Sequence, residues 1–345
     1  MLVVNKSKLT QVVYGGNFLI PQFIHPGMII DSDLYNDLDK SSFEVFNKFY
    51  LVNCKRLAFI RQYALGDIIQ LIASARFLKR IANIGKITII TSQSFADSLR
   101  YMYSDIEFVA YHAGTPYSSY DLILTLDGIL ESDHSLKNMQ NSYHRADIYL
   151  KAFGIVEHCP IDYDLWKPTY LKEIDMIQSE RKLIGIQLRG SGVMKTLPRD
   201  YIRKLVAELS QKYTVVLLDQ SADKGFSGDN VIDMCGKTTT HQCVAMLKQL
   251  AMVITMDSGM LWLAHAANCP VLSLLGPTRE QERLSLHPQY PEKAKSINLS
   301  EMIGCTPCFE TCPKCYRRVD CMNLFNHEEL TRAIMNKIEQ IVGVE

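Results

Sequence analysis

Twice along this 345-residue chain, apolar β-like runs alternate with helix-like stretches, and this double alternation constrains the fold more than any other feature. The first series reads "RLAFIRQ", "GDIIQLIASARFLKRIA", "KITIITS", "SFADSLRYMY", "IEFVAY" and "YDLILTL". The pattern dissolves near "DYDLWKPTYLKEID", where Trp166, Lys167 and Pro168 break both periodicities. It restarts with "KLIGIQL", "PRDYIRKLVAELSQK", "TVVLLD", "NVIDMCG", "TTTHQCVAMLKQL", "MVITMD", "GMLWLAHAAN" and "PVLSLLG". Strand–helix alternation builds parallel βαβ units with helices covering the sheet. The expected fold is therefore α/β, with two doubly wound domains at residues 51–165 and 166–345. An extension, residues 1–50, precedes them and carries short β-like runs broken by Gly-Gly and prolines. The closing stretch, "HEELTRAIMNKIEQIVGV", spaces Leu330, Ile334, Ile338 and Ile341 as one face of a helix. Open sheets of this kind bind ligands at the carboxyl ends of their strands, so chemistry is expected in a cleft between the domains.

Bulk properties narrow the partners. Apolar residues make up 47% of the chain and charged residues 21%, an ordinary globular balance. Lys plus Arg equals Asp plus Glu at 37 each, so no whole-protein field favours a polyanionic partner. No apolar run approaches the roughly 18 residues of a transmembrane helix. The start, "MLVVNKSKLTQVVYGG", lacks a basic segment followed by a sustained apolar one, so no secretory signal is read and a cytoplasmic, reducing location is expected.

Four polar stretches sit at predicted strand ends. Gly66 and Asp67 fall where the first strand turns into a helix. A carboxylate there either caps free amides and complements the helix dipole, or projects into the cleft as a general base. "IGIQLRGSGVMKTLP" places a Gly- and Ser-containing loop with Lys195 after a mid-chain strand, a pattern that many loops share but one that offers amides and a cation to phosphate. "MCGKTTT" offers Gly236, Lys237 and Thr238, without the glycine spacing of a Walker loop. "MVITMDSGM" ends a strand at Asp257 and sets Ser258, Gly259 and Met260 at a helix N-terminus, where unpaired amides attract anions.

Taken together, "LGDIIQLIASARFLK", Lys195 before Pro198, "GKTTTHQCVAMLKQLAMVITMDSGMLWLAHAANCPVLSLLGPT" and a late Cys-x-x-Cys resemble glycosyltransferase family nine, whose best-known members are lipopolysaccharide heptosyltransferases. The resemblance covers roughly residues 55–340 and is strongest from Asn230 to Thr278. It implies a GT-B architecture of two facing Rossmann-like domains and an inverting transfer that needs no catalytic metal. A nucleotide-diphosphate sugar donor would be held by residues 166–345. Asp67 matches the residue proposed as catalytic base, Lys195 the lysine on the donor phosphate, and Asp257, Ser258 and Gly259 the family's Asp-Thr-Gly loop. Where the family carries a histidine this chain has Trp262, with a histidine only at His265, and residues 1–50 have no counterpart. The acceptor is expected to be a glycan. A protein side chain or a hydroxylated base of modified DNA stays open, as do a sugar-nucleotide epimerase and a non-catalytic nucleotide-sugar binding protein.

Half of the ten cysteines cluster late, in "CTPCFETCPKC" and at Cys321. Cys305, Cys308, Cys312, Cys315 and Cys321 offer two closely spaced Cys-x-x-Cys pairs, which suit a tetrahedral thiolate site. A structural zinc or iron, free thiols and disulfides are the three readings, with disulfides least favoured in a reducing compartment. The remaining Cys54, Cys159, Cys235, Cys243 and Cys269 are scattered and read as ordinary buried residues.

Overall fold

The computed structural model describes residues 2–6, 11–13, 22–24, 28–31, 41, 43–45, 49–52, 54–112, 115, 117–127, 145–151, 155, 158–160, 162–171, 174–175, 177–190, 192–223, 225–305 and 320–343. The chain divides into two compact units: residues 1–64 with 70–160, and residues 65–69 with 161–345.

In the first unit, strands β1 (Leu2–Asn5), β2 (Gln11–Val13), β3 (Gln22–Ile24), β4 (Met28–Asp31) and β5 (Phe43–Val45) precede the short helix α1 (Phe49–Val52). Then come β6 (Arg56–Ile60), α2 (Leu65–Ala82), β7 (Lys86–Thr91), α3 (Gln93–Leu99), β8 (Glu107–Ala110), β9 (Leu122–Thr125) and α4 (Arg145–Lys151). Seven of these strands form one sheet in the order β5-β1-β4-β9-β6-β7-β8. From β4 to β8 all neighbours are parallel, whereas β1 runs antiparallel to both β4 and β5. Three strands from the first fifty residues thus continue the βαβ sheet. The long helix α2 buries Ile68, Ile69, Leu71, Ile72, Ala75 and Leu78 completely. It ends at Asn83 in the left-handed region, the non-glycine residue that best tolerates that C-terminal geometry.

The second unit holds α5 (Tyr163–Trp166), β10 (Leu183–Gln187), α6 (Arg199–Lys212), β11 (Thr214–Leu218), β12 (Val231–Asp233), α7 (Thr240–Leu247) and β13 (Met252–Met256). It continues through α8 (Gly259–Ala267), β14 (Val271–Leu275), α9 (Glu280–Leu284), β15 (Ala294–Asn298), α10 (Leu299–Met302) and α11 (His327–Val342). Its six strands are all parallel, in the order β12-β11-β10-β13-β14-β15. Numbered from β10, that is 3-2-1-4-5-6, the order of a dinucleotide-binding fold. The central strands are covered on both faces, so "TVVLL", "MVITM" and "VLSLL" are buried at every position. Helix α6 buries Tyr201, Ile202, Leu205, Val206 and Leu209, and α11 buries Leu330, Ile334, Ile338 and Ile341, as the helical spacing predicts. The direction of winding reverses between β10 and β13. The loops that leave their carboxyl ends flank the topological switch point, where sheets of this order bind ligands.

Candidate functional site

Lys195 reaches that switch point from the loop after β10. Gly190 opens the loop, and a Cβ on it would lie 1.8 Å from the Lys195 carbonyl oxygen, so only glycine allows the chain to double back so tightly. The Thr196 hydroxyl donates to the Gly192 carbonyl (2.8 Å) and accepts from Gly190 N–H (3.1 Å), while Lys195 N–H donates to Gly192 O (3.0 Å). The backbone under Lys195 is therefore fixed before its side chain is placed. Its ammonium Nζ lies 3.0 Å from Asp257 Oδ2, at the carboxyl end of β13.

Asp257 is 5% exposed and serves two cations. Arg283, on α9, forks onto it, with Nε to Oδ1 at 2.7 Å and Nη2 to Oδ2 at 3.2 Å. Its Nη1 lies 3.7 Å from Glu282 Oε2. Lys195 and Arg283 are thus balanced by Asp257 and Glu282, and the pull on an anion here is local and directional. Part of it comes from α8. Ser258 caps this helix, its hydroxyl accepting from Met260 N–H (3.3 Å) and donating to Gln187 Oε1 (2.8 Å). The same Gln187 oxygen accepts from the Thr255 hydroxyl (2.5 Å), so the last side chain of β10 ties it to β13 at the switch point. The Met260 amide is taken by the cap, which narrows the set of open donors the sequence suggested. Ser258 and Gly259 remain at the positive end of the helix dipole.

Asp67 is 3% exposed and lies in the first turn of α2, whose residues 65–69 group with the second unit. The turn begins at Ala64, which has φ 65° and makes no side-chain cap bond, so Asp67 is the third helical residue and not the cap. A Cβ on Gly66 would fall 2.3 Å from Trp262 Cδ1 and 2.9 Å from its Nε1. Trp262 is 3% exposed and stacks on Trp166 with centroids 6.0 Å apart at 18°. It is packed core, where the family pattern carries histidine. His265 is fully buried, with Nδ1 2.8 Å from Leu261 O one helical turn back.

The structure brings together Lys195, Asp257, Ser258, Gly259 and Met260. It sets Gly236, Lys237 and Thr238 after β12, one of the sheet's two edge strands. Gly236 takes a positive φ of 69°, its N–H donates to Asp219 O beyond the end of β11 (2.9 Å), and Lys237 N–H closes the turn onto Met234 O (3.2 Å). Lys237 Nζ folds back onto the Asp233 carbonyl at 2.6 Å, and Thr238 precedes the Thr239–Gln242 capping box of α7. Sequence reasoning missed Arg283; nothing in "TREQERLSLH", which also holds Arg279, marks which arginine meets a buried partner.

Cys305 is half-buried, and Cys321 is 3% exposed within the second unit's core. Cys308, Cys312 and Cys315 lie outside the described residues. Among the described residues, no group of three or more His, Cys, Asp or Glu side chains could hold a metal ion. Burial pushes the thiols of Cys54 up to about 11 and of Cys235 and Cys243 up to about 12, which makes them inert at neutral pH. Among the described residues no helix is long and apolar enough to cross a membrane.

Residues 145–316 match the sequence profile of glycosyltransferase family 9 (heptosyltransferase). A lipooligosaccharide heptosyltransferase 2 from Haemophilus influenzae is 29% identical over 136 residues, 35% of this chain and 38% of that protein. The match therefore spans well under half of that relative's length. The iron-containing dodecameric glycosyltransferase TibC from enterotoxigenic E. coli H10407 superposes with a TM-score of 0.61 at 17% identity, over 86% of this chain and 78% of that one. The E. coli ADP-heptose LPS heptosyltransferase II gives 0.53 at 17% identity, over 83% and 99%. At such identities the likeness is one of fold, the α/β class of the GT-B heptosyltransferases. Residues 145–316 of the chain are therefore of the glycosyltransferase family 9 type.

Proposed function

We propose that this chain is an inverting glycosyltransferase that moves a sugar from a nucleotide-diphosphate donor to an acceptor hydroxyl. ADP-heptose is the first donor to test and a lipopolysaccharide-type glycan the first acceptor. The observation that carries this reading is the pairing of Lys195 with the capped N-terminus of α8 at the switch point of a 3-2-1-4-5-6 sheet. A diphosphate seated there gains a cation and a helix dipole, which grow in value as the leaving oxygen takes up charge.

In this reading Asp67 accepts the proton of the acceptor hydroxyl. The hydroxyl oxygen then bonds to the anomeric carbon as the bond to the diphosphate oxygen breaks on the opposite face. The electron pair leaves with the nucleotide diphosphate, held by Lys195 and the Ser258–Gly259 turn. No metal is needed for that step, because Lys195 and the helix terminus supply the positive charge. A general base contributes about 10² to 10⁴ in rate.

The test is thermal unfolding of the purified protein with ADP, UDP, GDP and CDP, followed by transfer assays with the matching sugar donor. A shift with one nucleotide, and an Asp67→Asn variant that keeps the shift but loses turnover by about 10² to 10⁴, is the expected result. No shift with any nucleotide removes the donor site; near-normal turnover of Asp67→Asn removes the base.

A structural metal, zinc or iron, is proposed separately for four of the cysteines Cys305, Cys308, Cys312, Cys315 and Cys321. Thiolates are the donor set both ions favour, and the structurally similar TibC is an iron-containing glycosyltransferase. The reading places the chain in the cytoplasm, where these thiols stay reduced. Metal analysis of protein purified without chelators decides it: less than about one-tenth of an ion per chain ends the proposal.

A further inference from the structure

Arg283 is given no part in the transfer step, yet it makes a two-point ionic contact with Asp257. It is 4% exposed and holds both oxygens of Asp257 in a fork, at 2.7 Å and 3.2 Å. Lys195 meets the same carboxylate at a single point, 3.0 Å from Oδ2, and its side chain is 15% exposed. One carboxylate therefore holds two cations of different character. The planar guanidinium is locked by geometry, and the ammonium is a rotatable point charge on a flexible stem.

That asymmetry matters once a diphosphate arrives, because phosphate oxygens must compete with Asp257 for Lys195. A buried carboxylate stripped of its partner is strongly disfavoured, and would hold the lysine back. We infer that Arg283 is a positioning residue that keeps Asp257 paired when Lys195 transfers to the diphosphate, so that the lysine is releasable. The inference rests on the reading of Lys195 as the phosphate ligand. Glu282, 3.7 Å from Arg283 Nη1, braces the guanidinium from its other side.

The role makes a prediction that plain structural support does not. In Arg283→Gln, Lys195 is left as the principal cation on Asp257, so the lysine is held more tightly and diphosphate binding weakens. Removing the carboxylate charge as well, in Asp257→Asn/Arg283→Gln, releases the lysine, and binding returns. Titration calorimetry with ADP and with AMP, at fixed pH and ionic strength, reads this out. AMP carries one phosphate in place of two and calibrates effects on nucleotide binding that do not depend on the diphosphate.

The expected result is a roughly tenfold rise in the ADP Kd of Arg283→Gln with less than about twofold for AMP. The double variant should recover to within about threefold of wild type. Should Arg283→Gln fold poorly, Arg283→Lys keeps the charge and loses the fork, and a several-fold rise for ADP alone is expected. Equal losses for ADP and AMP, or a double variant no better than Arg283→Gln, would overturn the inference and leave Arg283 as structural support. A wild-type protein that binds neither nucleotide overturns the donor site itself, which is a different failure.

Discussion

A single methyl group is enough to test how the turn before Asp67 is held. On helix propensity alone, alanine at Gly66 would be favoured by about 1 kcal/mol. Packing opposes it, since the new Cβ would lie 2.3 Å from the Trp262 indole, which is itself clamped by Trp166 and by His265 at 4.8 Å. Overpacking a closed site costs about 1–3 kcal/mol, so packing wins and Gly66→Ala should destabilise the protein and displace Asp67. Trimming the indole with Trp262→Leu in the same chain should restore part of that loss. Chemical unfolding of the two single variants and the double variant measures the coupling between them. A Gly66→Ala protein as stable as wild type would mean that the indole does not rest on that glycine. Next to it, Ala64 takes φ 65°, whereas the other described non-glycine residues with positive φ are Asn83, Asn230 and Asn268. Asparagine tolerates that region and alanine does not, so this turn is where the backbone carries strain.

At the scale of elements, what the sequence revealed divides along local and non-local lines. Strands such as β10 and β13, and helices such as α6 and α11, are written in their own apolar periodicity, and the structure places them where that periodicity does. The edge strand β15 is "AKSIN", with a single large apolar residue, because one flank of an edge strand needs no buried partner; nothing in its pattern marks it. The pairing of β1 and β4 with the βαβ sheet depends on residues as distant as Ile123 and Leu124, which no local window contains. The site divides in the same way. Lys195 and Ser258–Gly259 are visible as polar breaks at strand ends, but Arg283 is recognisable only once α9 has packed beside Asp257. Lys237 is the converse case: its Gly-Lys-Thr setting is legible in the sequence, whereas the 2.6 Å bond from its ammonium to the Asp233 carbonyl four residues back is not.

Across the whole molecule, two large sheets with no shared strand, one in each unit, predict more than one unfolding transition, and His287 offers a way to assign them. Its ring is buried in the second unit, with Nε2 2.9 Å from Cys269 O and Nδ1 3.1 Å from Gln289 N–H. That pattern suits the neutral tautomer, with the proton on Nε2. A second proton on Nδ1 would face the Gln289 N–H, and the His265 ring packs edge-on at 4.7 Å. Burial pulls the His287 pKa down from 6.5 to about 4, against the backbone bond to Cys269, which raises it. Because the folded value is depressed, the unfolded chain binds the proton first as pH falls. The stability from this group is therefore full above about pH 6.5 and is lost between there and about pH 4. The shift corresponds to about 3 kcal/mol across that window. His287→Gln keeps a donor and an acceptor but cannot titrate, so its stability should fall less steeply than wild type over the same range. The transition that moves with His287 should also be the one that ADP stabilises, since Lys195, Asp257 and His287 belong to one unit. Calorimetric scans of both proteins from pH 7 to pH 4, with and without ADP, decide it. Parallel pH curves for wild type and variant would show that His287 does not set acid stability, and an ADP shift confined to the other transition would place the nucleotide outside this unit.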